Sequence, residues 1–271
     1  MYGPSPLMTI MQNAARKGSR NLLRDFSEVE TLQVSRKGPA DFVSRADKRA
    51  EEVIFENLRR DRPGYCFLME ETGEVAGTDK SHRFIIDPLD GTTNFLHGIP
   101  HFAISIALER TIDDVTDVVA GLVYNPITDE MFFAEKGKGA FLNDGRLGGA
   151  DRRLRPSRRD IFTDCLFATG IPFLGRPGHG KFLKELHQVM GASAGVRRLG
   201  SAALDLAWVA AGRFDGYWER GLSVWDIAAG LLICREAELD VESLSGGDVM
   251  KDCDPIVTNA ALMPHLRSRV E

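Results

Sequence analysis

The chain has 271 residues and a formal net charge of −5, with 43% hydrophobic and 27% charged residues. Those values belong to a globular protein and exclude a disordered, collagen-like or disulfide-stapled chain; the length allows one large domain or two fused lobes. The acidic balance speaks against a dedicated nucleic-acid binder, and no apolar run reaches the roughly 18 residues of a membrane span.

The stretch Met1–Asn21 carries Pro4, Pro6, Arg16, Lys17 and Arg20 where a secretion signal would have a continuous apolar core. Cys66, Cys165, Cys234 and Cys253 stand too far apart for a zinc pair or a disulfide framework. Both features point to the cytoplasm. From Leu7 to Phe26, Leu7, Ile10, Ala14, Leu22 and Leu23 recur at helical spacing. A second helix is expected over Asp41–Leu58, with Asp41 as its start signal and Ala46, Ala50, Val53, Ile54 and Leu58 on one face.

After Gly64 the period changes. Tyr65–Met69 and Arg83–Ile86 read as buried strands, ending in Glu70-Glu71 and in Asp87. His101–Glu109 alternates through Phe102, Ile104, Ile106 and Leu108, as a strand with one buried face does. Val118–Tyr124 and Glu130–Glu135 continue the series around an Asn125-Pro126 turn, so an antiparallel run is expected. The Gly- and Arg-rich stretch Gly137–Arg159 marks the junction between lobes of about 1–145 and 146–271. Beyond it strands (Ile161–Thr169, Gly216–Glu219, Pro255–Thr258) alternate with helices (Gly180–Met190, Ala202–Gly212, Asp226–Ala237, one after Pro264), the pattern of an α/β lobe.

Chemistry concentrates in Asp87-Pro-Leu-Asp90-Gly-Thr-Thr-Asn94. A strand delivers Asp87, Pro88 turns the chain, and Asp90 follows three residues on. Two carboxylates on one turn can share a divalent cation, and Thr92, Thr93 and Asn94 can open a short helix whose free N–H groups hold a phosphate. The same residues also suit a plain turn. Glu70 and Glu71 could be merely solvated, and Asp226 could be only a helix cap. Together, Glu70, Asp87, Asp90 and Asp226 are four carboxylates at element ends, as a magnesium cluster for phosphoryl transfer requires.

Competing motifs fail on spacing. Asp87 and Asp90 are one residue too far apart for the Asp-x-Asp of haloacid-dehalogenase phosphatases. Gly175–Lys181 matches seven positions of a P-loop, but Phe182 replaces the magnesium-binding hydroxyl and Pro177 removes an N–H. Gly98 and Pro100 break any helix that would pair His97 with His101. The arginines Arg152, Arg153, Arg155, Arg158 and Arg159 read as a solvated loop, with RNA binding as the alternative.

The sequence resembles the inositol monophosphatase family, in particular its bacterial inositol-1-monophosphatase branch. The resemblance rests on Glu70-Glu71-Thr72, Asp87–Phe95, Trp225-Asp226-Ile-Ala-Ala-Gly230, Gly38–Val43 with Asp47, Gly200-Ser-Ala-Ala203 and Thr169–Phe173, and runs from Leu7 to Arg267. It implies the layered αβαβα sandwich shared with fructose-1,6-bisphosphatase, an α+β and an α/β part within one family domain over residues 1–271. It implies two or three Mg2+ held by Glu70, Asp87, the Leu89 carbonyl, Asp90 and Asp226. Thr92, paired with Asp47, and Glu70 would orient and deprotonate the attacking water. Gly91 and Thr92 N–H groups would grip the phosphate, and Asp90, Gly200, Ser201, Ala202, Glu219 and Asp226 would meet the substrate. It further implies lithium sensitivity, a homodimer, no membrane partner, and hydrolysis of myo-inositol 1-phosphate. Histidinol phosphate, fructose bisphosphate or a 3′-phosphonucleotide are alternative substrates, and a protein- or RNA-binding role is an alternative of another class. One departure is visible: Glu238-Leu239 stand where the family commonly has two glycines after a helix, which questions the local turn.

Overall fold

The computed structural model describes residues 4–27, 34–36 and 42–271. In chain order the elements are α1 (Pro6–Phe26), β1 (Val34–Arg36), β2 (Phe42–Ser44), α2 (Arg45–Asp61), β3 (Tyr65–Met69), β4 (Gly73–Val75), β5 (Asp79–Asp90), α3 (Thr92–Leu96), β6 (Ala103–Ile112), β7 (Val115–Asn125), β8 (Glu130–Glu135), β9 (Gly139–Asp144) and β10 (Asp151–Arg153). They continue as β11 (Leu166–Thr169), α4 (His179–Met190), β12 (Gly195–Arg197), α5 (Ala202–Ala210), β13 (Gly216–Trp218), α6 (Val224–Glu236), β14 (Asp240–Ser243), α7 (Val249–Asp252), β15 (Pro255–Thr258) and α8 (Met263–Val270).

The expected layers are present. An eight-stranded sheet has the order β10-β9-β8-β7-β6-β5-β3-β4, and a five-stranded sheet the order β12-β11-β13-β15-β14. Helices α1 and α2 cover the outer face of the first sheet, α5 and α6 fill the space between the sheets, and α4 and α8 pair beyond the second. Each interlayer space has its own core. Met8, Met11, Leu22, Ile54 and Leu58 meet Phe84, Ile86, Ile104 and Ile106 on the outside of the first sheet. Ile85, Ala107, Val123 and Phe132 on its inner face meet Leu204, Ala207, Ala229 and Leu232. Phe167, Trp218 and Ile256 pack with Val189, Leu266 and Val270 on the far side. Strand β5 therefore has both faces covered, so Phe84, Ile85 and Ile86 form an unbroken apolar run rather than an alternation.

Several expectations need correction. The sheet is not purely antiparallel, because β3 and β5 run parallel, Phe67 opposite Phe84. Pro88 does not end β5: the strand runs to Asp90, with its register slipping between Asp87 and Asp90. A proline that offers no N–H is accommodated at such an irregularity. The second helix starts at Arg45, directly after β2; Asp41 and most of the Gly38–Val43 motif lie outside the described residues. The Gly- and Arg-rich junction carries β9 and β10, which extend the first sheet with Ala140 and Leu142 buried, and the second sheet begins at β11. Helix α6 begins at Val224 with Ser223 as its cap, so Asp226 sits in its first turn and does not open it.

Candidate active site

The irregularity in β5 sets the site. Asp87 Oδ1 accepts from Leu89 N–H (2.8 Å), which folds the Asp-Pro-Leu segment back on its own carboxylate. Two residues beyond, Gly91 takes φ +95°, and a Cβ there would stand 3.1 Å from the His101 carbonyl oxygen and 3.3 Å from that of Gly200. Only glycine meets both conditions. Asn94 Nδ2 then donates to the carbonyls of His101 and Leu199 (2.8 Å each), pinning the turn to the loop before α5.

Across that loop Asp90 Oδ2 accepts from Ser201 Oγ (2.6 Å) and Ala203 N–H (2.7 Å), so Asp90 anchors the N-terminus of α5. Asp226 Oδ2 accepts from Ser223 N–H (2.7 Å), the acidic half of a capping box. Ser105 Oγ on β6 donates to the Trp225 carbonyl (3.2 Å) and ties this helix start to the first sheet. Asp87, Asp90 and Asp226 thereby offer ligand oxygens within 4.8 Å of one another, and this is the one such group among the described residues. Glu70, at the end of β3, acts on Asp87 and Asp226 through its charge. Its turn is held by buried Glu51, which accepts from Glu71 N–H (2.8 Å) and Thr72 Oγ1 (2.5 Å).

Burial pushes the Asp87 carboxyl well above its ordinary range, and the charges of Glu70, Asp90 and Asp226 add to the push. Burial raises Asp90 to about 6 against its hydrogen bonds from Ser201 and Ala203. Asp226 is driven well above its usual value by burial and by Asp90. Carboxylates crowded this way are relieved by a divalent cation. An all-oxygen donor set fits a hard ion such as Mg2+ and lacks the nitrogen or sulfur that zinc prefers.

Beside the trio opens a cavity of about 690 Å3, bordered by Asp90, Gly91, Thr92, Gly200, Ser201, Ala202, Glu219 and Asp226. Every residue expected at the substrate therefore borders this cavity. Thr92 Oγ1 donates to the Leu89 carbonyl (2.9 Å), which joins two groups expected at the reacting centre. Asp47 is buried in the first turn of α2. Glu219 Oε2 accepts from Tyr217 OH (2.5 Å), and burial lifts Glu219 to about 7 against that hydrogen bond. A Cβ on Gly170 would stand 1.8 Å from Glu219 Oε1, so this carboxylate needs the glycine beside it.

Sequence reasoning missed other parts of the wall. Arg176 and Lys181, from the segment rejected as a P-loop, border the cavity, as do Arg198 and Asp205. Asp205 did leave a signal, as the lone charge in the apolar helix Ala-Ala-Leu-Asp-Leu-Ala-Trp-Val-Ala. The His101 ring meets Trp208 edge-on, and burial lowers its pKa to about 4.

The model of a family described as the inositol monophosphatase family matches residues 4–271. An inositol-1-monophosphatase of Caulobacter vibrioides is 54% identical over 262 residues, covering 96% of this chain and 99% of that protein. The Nus factor SuhB of Escherichia coli K12 is 42% identical over 242 residues, covering 89% and 86%. The crystal structure of an extragenic suppressor protein suhB from Bartonella henselae superposes with a TM-score of 0.92 at 52% identity, covering 98% of this chain and 99% of that one.

Proposed function

The chain belongs to the inositol monophosphatase family, and on that footing we propose that it is a magnesium-dependent phosphatase of small polyol phosphomonoesters, with myo-inositol 1-phosphate as the preferred substrate. The observation that carries this reading is the trio Asp87, Asp90 and Asp226 beside a cavity that is also bordered by Glu219 and the start of α5. One end of the cavity suits a phosphate with its cations, the other a hydroxylated alcohol.

In this reading Glu70, Asp87, the Leu89 carbonyl, Asp90 and Asp226 hold two or three Mg2+. When bound, the ions neutralise phosphoryl charge and stabilise the leaving alkoxide. The protein's own groups do the rest. Thr92 Oγ1 and Asp47 aim a water along the line of the scissile bond and, with Glu70, take its proton. The Gly91 and Thr92 N–H groups grip the phosphoryl oxygens. Gly200, Ser201, Ala202 and Glu219 hold the polyol hydroxyls. A panel of phosphomonoesters, assayed with magnesium and again with lithium added, tests the reading. It expects the inositol phosphate to lead, lithium to inhibit and chelation to abolish turnover; wild-type rates after full chelation would overturn it. We place this activity in the cytoplasm, on a homodimer.

A second reading has its own support. The matched Nus factors point to a role beyond hydrolysis, and a cavity of about 670 Å3 is bordered by Arg153, Arg155, Arg158 and Arg159. RNA binding there would weaken steeply as salt rises, and an RNA-binding assay across salt concentrations decides it.

A further inference from the structure

Helix α5 is apolar except for Asp205, which is 1% exposed and surrounded by Ala203, Leu204, Leu206 and Ala207, all buried. A carboxyl in such a place is normally paired, because burying it unpaired is costly. Asp205 Oδ1 has no hydrogen-bond partner among the described residues, and no ion pair within 4.0 Å involves this residue there. Arg198 touches it only through its longer-range charge, and Glu219 and Asp90 oppose its ionisation. It stands apart from the trio Asp87, Asp90 and Asp226, so metal binding does not account for it.

Its placement does account for it. Asp205 borders the large cavity together with Ser201, Ala202 and Glu219. It follows Ser201 by four residues and Ala202 by three, so it lies on the same helical face, one turn further in. Helical side chains lean toward the N-terminus, which directs the carboxyl toward the start of α5 and the cavity. Tyr217 donates its hydroxyl to Glu219. Of these two carboxylates, Glu219 has a protein donor and Asp205 has none among the described residues.

We propose that Asp205 is a specificity-determining residue that receives a hydroxyl of the leaving alcohol next to the one held by Glu219. The site then selects alcohols that present neighbouring hydroxyls and discriminates against phosphomonoesters of simple aryl or alkyl alcohols. This deepens, and rests on, the polyol-phosphatase reading. The substrate completes a hydrogen-bonding requirement that the fold leaves open, and a site built that way rejects analogues lacking the hydroxyl.

The test compares wild type, Asp205→Ala and Asp205→Asn on myo-inositol 1-phosphate and on p-nitrophenyl phosphate, both with magnesium. The ratio of kcat/KM between the two substrates should fall about 10-fold or more in Asp205→Ala, through KM, and recover in part in Asp205→Asn, which still offers an amide. Melting without ligand supplies a readout that a structural role would move the other way. Asp205→Ala should melt no lower than wild type, because no protein partner is lost. Equal losses on both substrates, an unchanged ratio, or a lowered melting temperature with no change in the ratio would overturn the assignment of Asp205 alone. Calorimetry with myo-inositol separates the two readings. Wild type that neither binds the polyol nor cleaves its phosphate overturns the polyol-phosphatase reading and the assignment with it. Wild type that binds it about 10-fold tighter than Asp205→Ala upholds the anchor by a route independent of turnover.

Discussion

At the scale of single residues, two positions carry separable effects. Thr92 offers a hydroxyl and an N–H, and Thr92→Ala removes only the first. With the water no longer aimed, kcat should fall by roughly 10²–10⁴-fold, with little change in KM or magnesium requirement. If Asp47 acts through Thr92, Asp47→Asn gives a similar loss and the double variant loses little more than either. Steady-state kinetics on the four proteins decides it, and fully additive losses would show that the two act independently. Glu238 is the second case. It adopts φ +68°, a backbone conformation that favours glycine. The turn is a Schellman closure: Leu239 N–H donates to Cys234 O (3.1 Å) and Glu238 N–H to Arg235 O (3.0 Å), while Leu239 tucks into the central core. A glutamate therefore closes a turn that favours glycine, and the strain falls on Glu238. Its pair with Arg153 is loose, 3.8 Å between side chains 85% and 58% exposed, and offsets little. Glu238→Gly should raise stability by about 0.5–1 kcal/mol. Thermal melting checks this, and a lowered melting temperature would show that the Arg153 contact outweighs the backbone strain.

At the scale of elements, helix α6 is positioned by what β7 lacks. A Cβ on Gly121 would stand 2.9 Å from the Ala229 carbonyl oxygen and 3.0 Å from its Cα, both backbone atoms of α6. Gly121→Ala must push the helix off the sheet, at about 1–3 kcal/mol for such overpacking. Asp226 lies three residues before Ala229, so turnover should fall together with the melting temperature. Gly180, exposed in α4 with nothing within 4 Å of its would-be Cβ, is the control. Gly180→Ala should be neutral or stabilising, since a helical glycine costs roughly 0.5–1 kcal/mol against alanine. A harmless Gly121→Ala would mean that α6 can shift without cost. The same elements show what the sequence reveals and what it hides. Strands β3, β8 and β15 are legible to the residue, because apolar runs flanked by Gly, Pro or charge have one reading. The full span of β5 is hidden, because polar Asp79–His82 and Pro88 look like loop until β3 pairs with Asp79, β6 pairs with His82 and the register with β6 slips around Pro88. Strands β9 and β10 are hidden by glycines and arginines whose partners lie in the sheet beside them. Of the site, the carboxylates announce themselves by standing at element ends. Gly170 and Tyr217, which make room for Glu219 and donate to it, leave no mark until the second sheet brings them together.

At the scale of the whole molecule, catalytic competence and stability are coupled through charge. Asp90, raised to about 6, Glu219, raised to about 7, and Asp87 and Asp226, raised further by burial and mutual repulsion, all bind protons more tightly folded than unfolded. Their stability contribution is complete below the unfolded values and is lost as pH rises through the folded ones. His101 works in the opposite sense, since burial lowers it to about 4 and the folded state disfavours its proton. Above about pH 6.5 the unfolded histidine is largely neutral as well, so its opposition fades and the carboxyls decide the slope. The chelated protein should therefore melt lower as pH climbs from about 6.5 to 8. Magnesium should flatten or reverse that slope, because the cation binds the deprotonated cluster of the native state and gains most where protons no longer compete. Glu219→Gln should remove part of the slope in chelator while the magnesium effect persists, since Glu219 is not among the trio of clustered ligand oxygens. Melting curves with chelator and with millimolar magnesium at matched ionic strength separate these terms. A chelated protein that grows more stable over that range would show that the carboxylates are already neutralised by groups of the protein itself. In that case the trio would not depend on a cation to hold its charge.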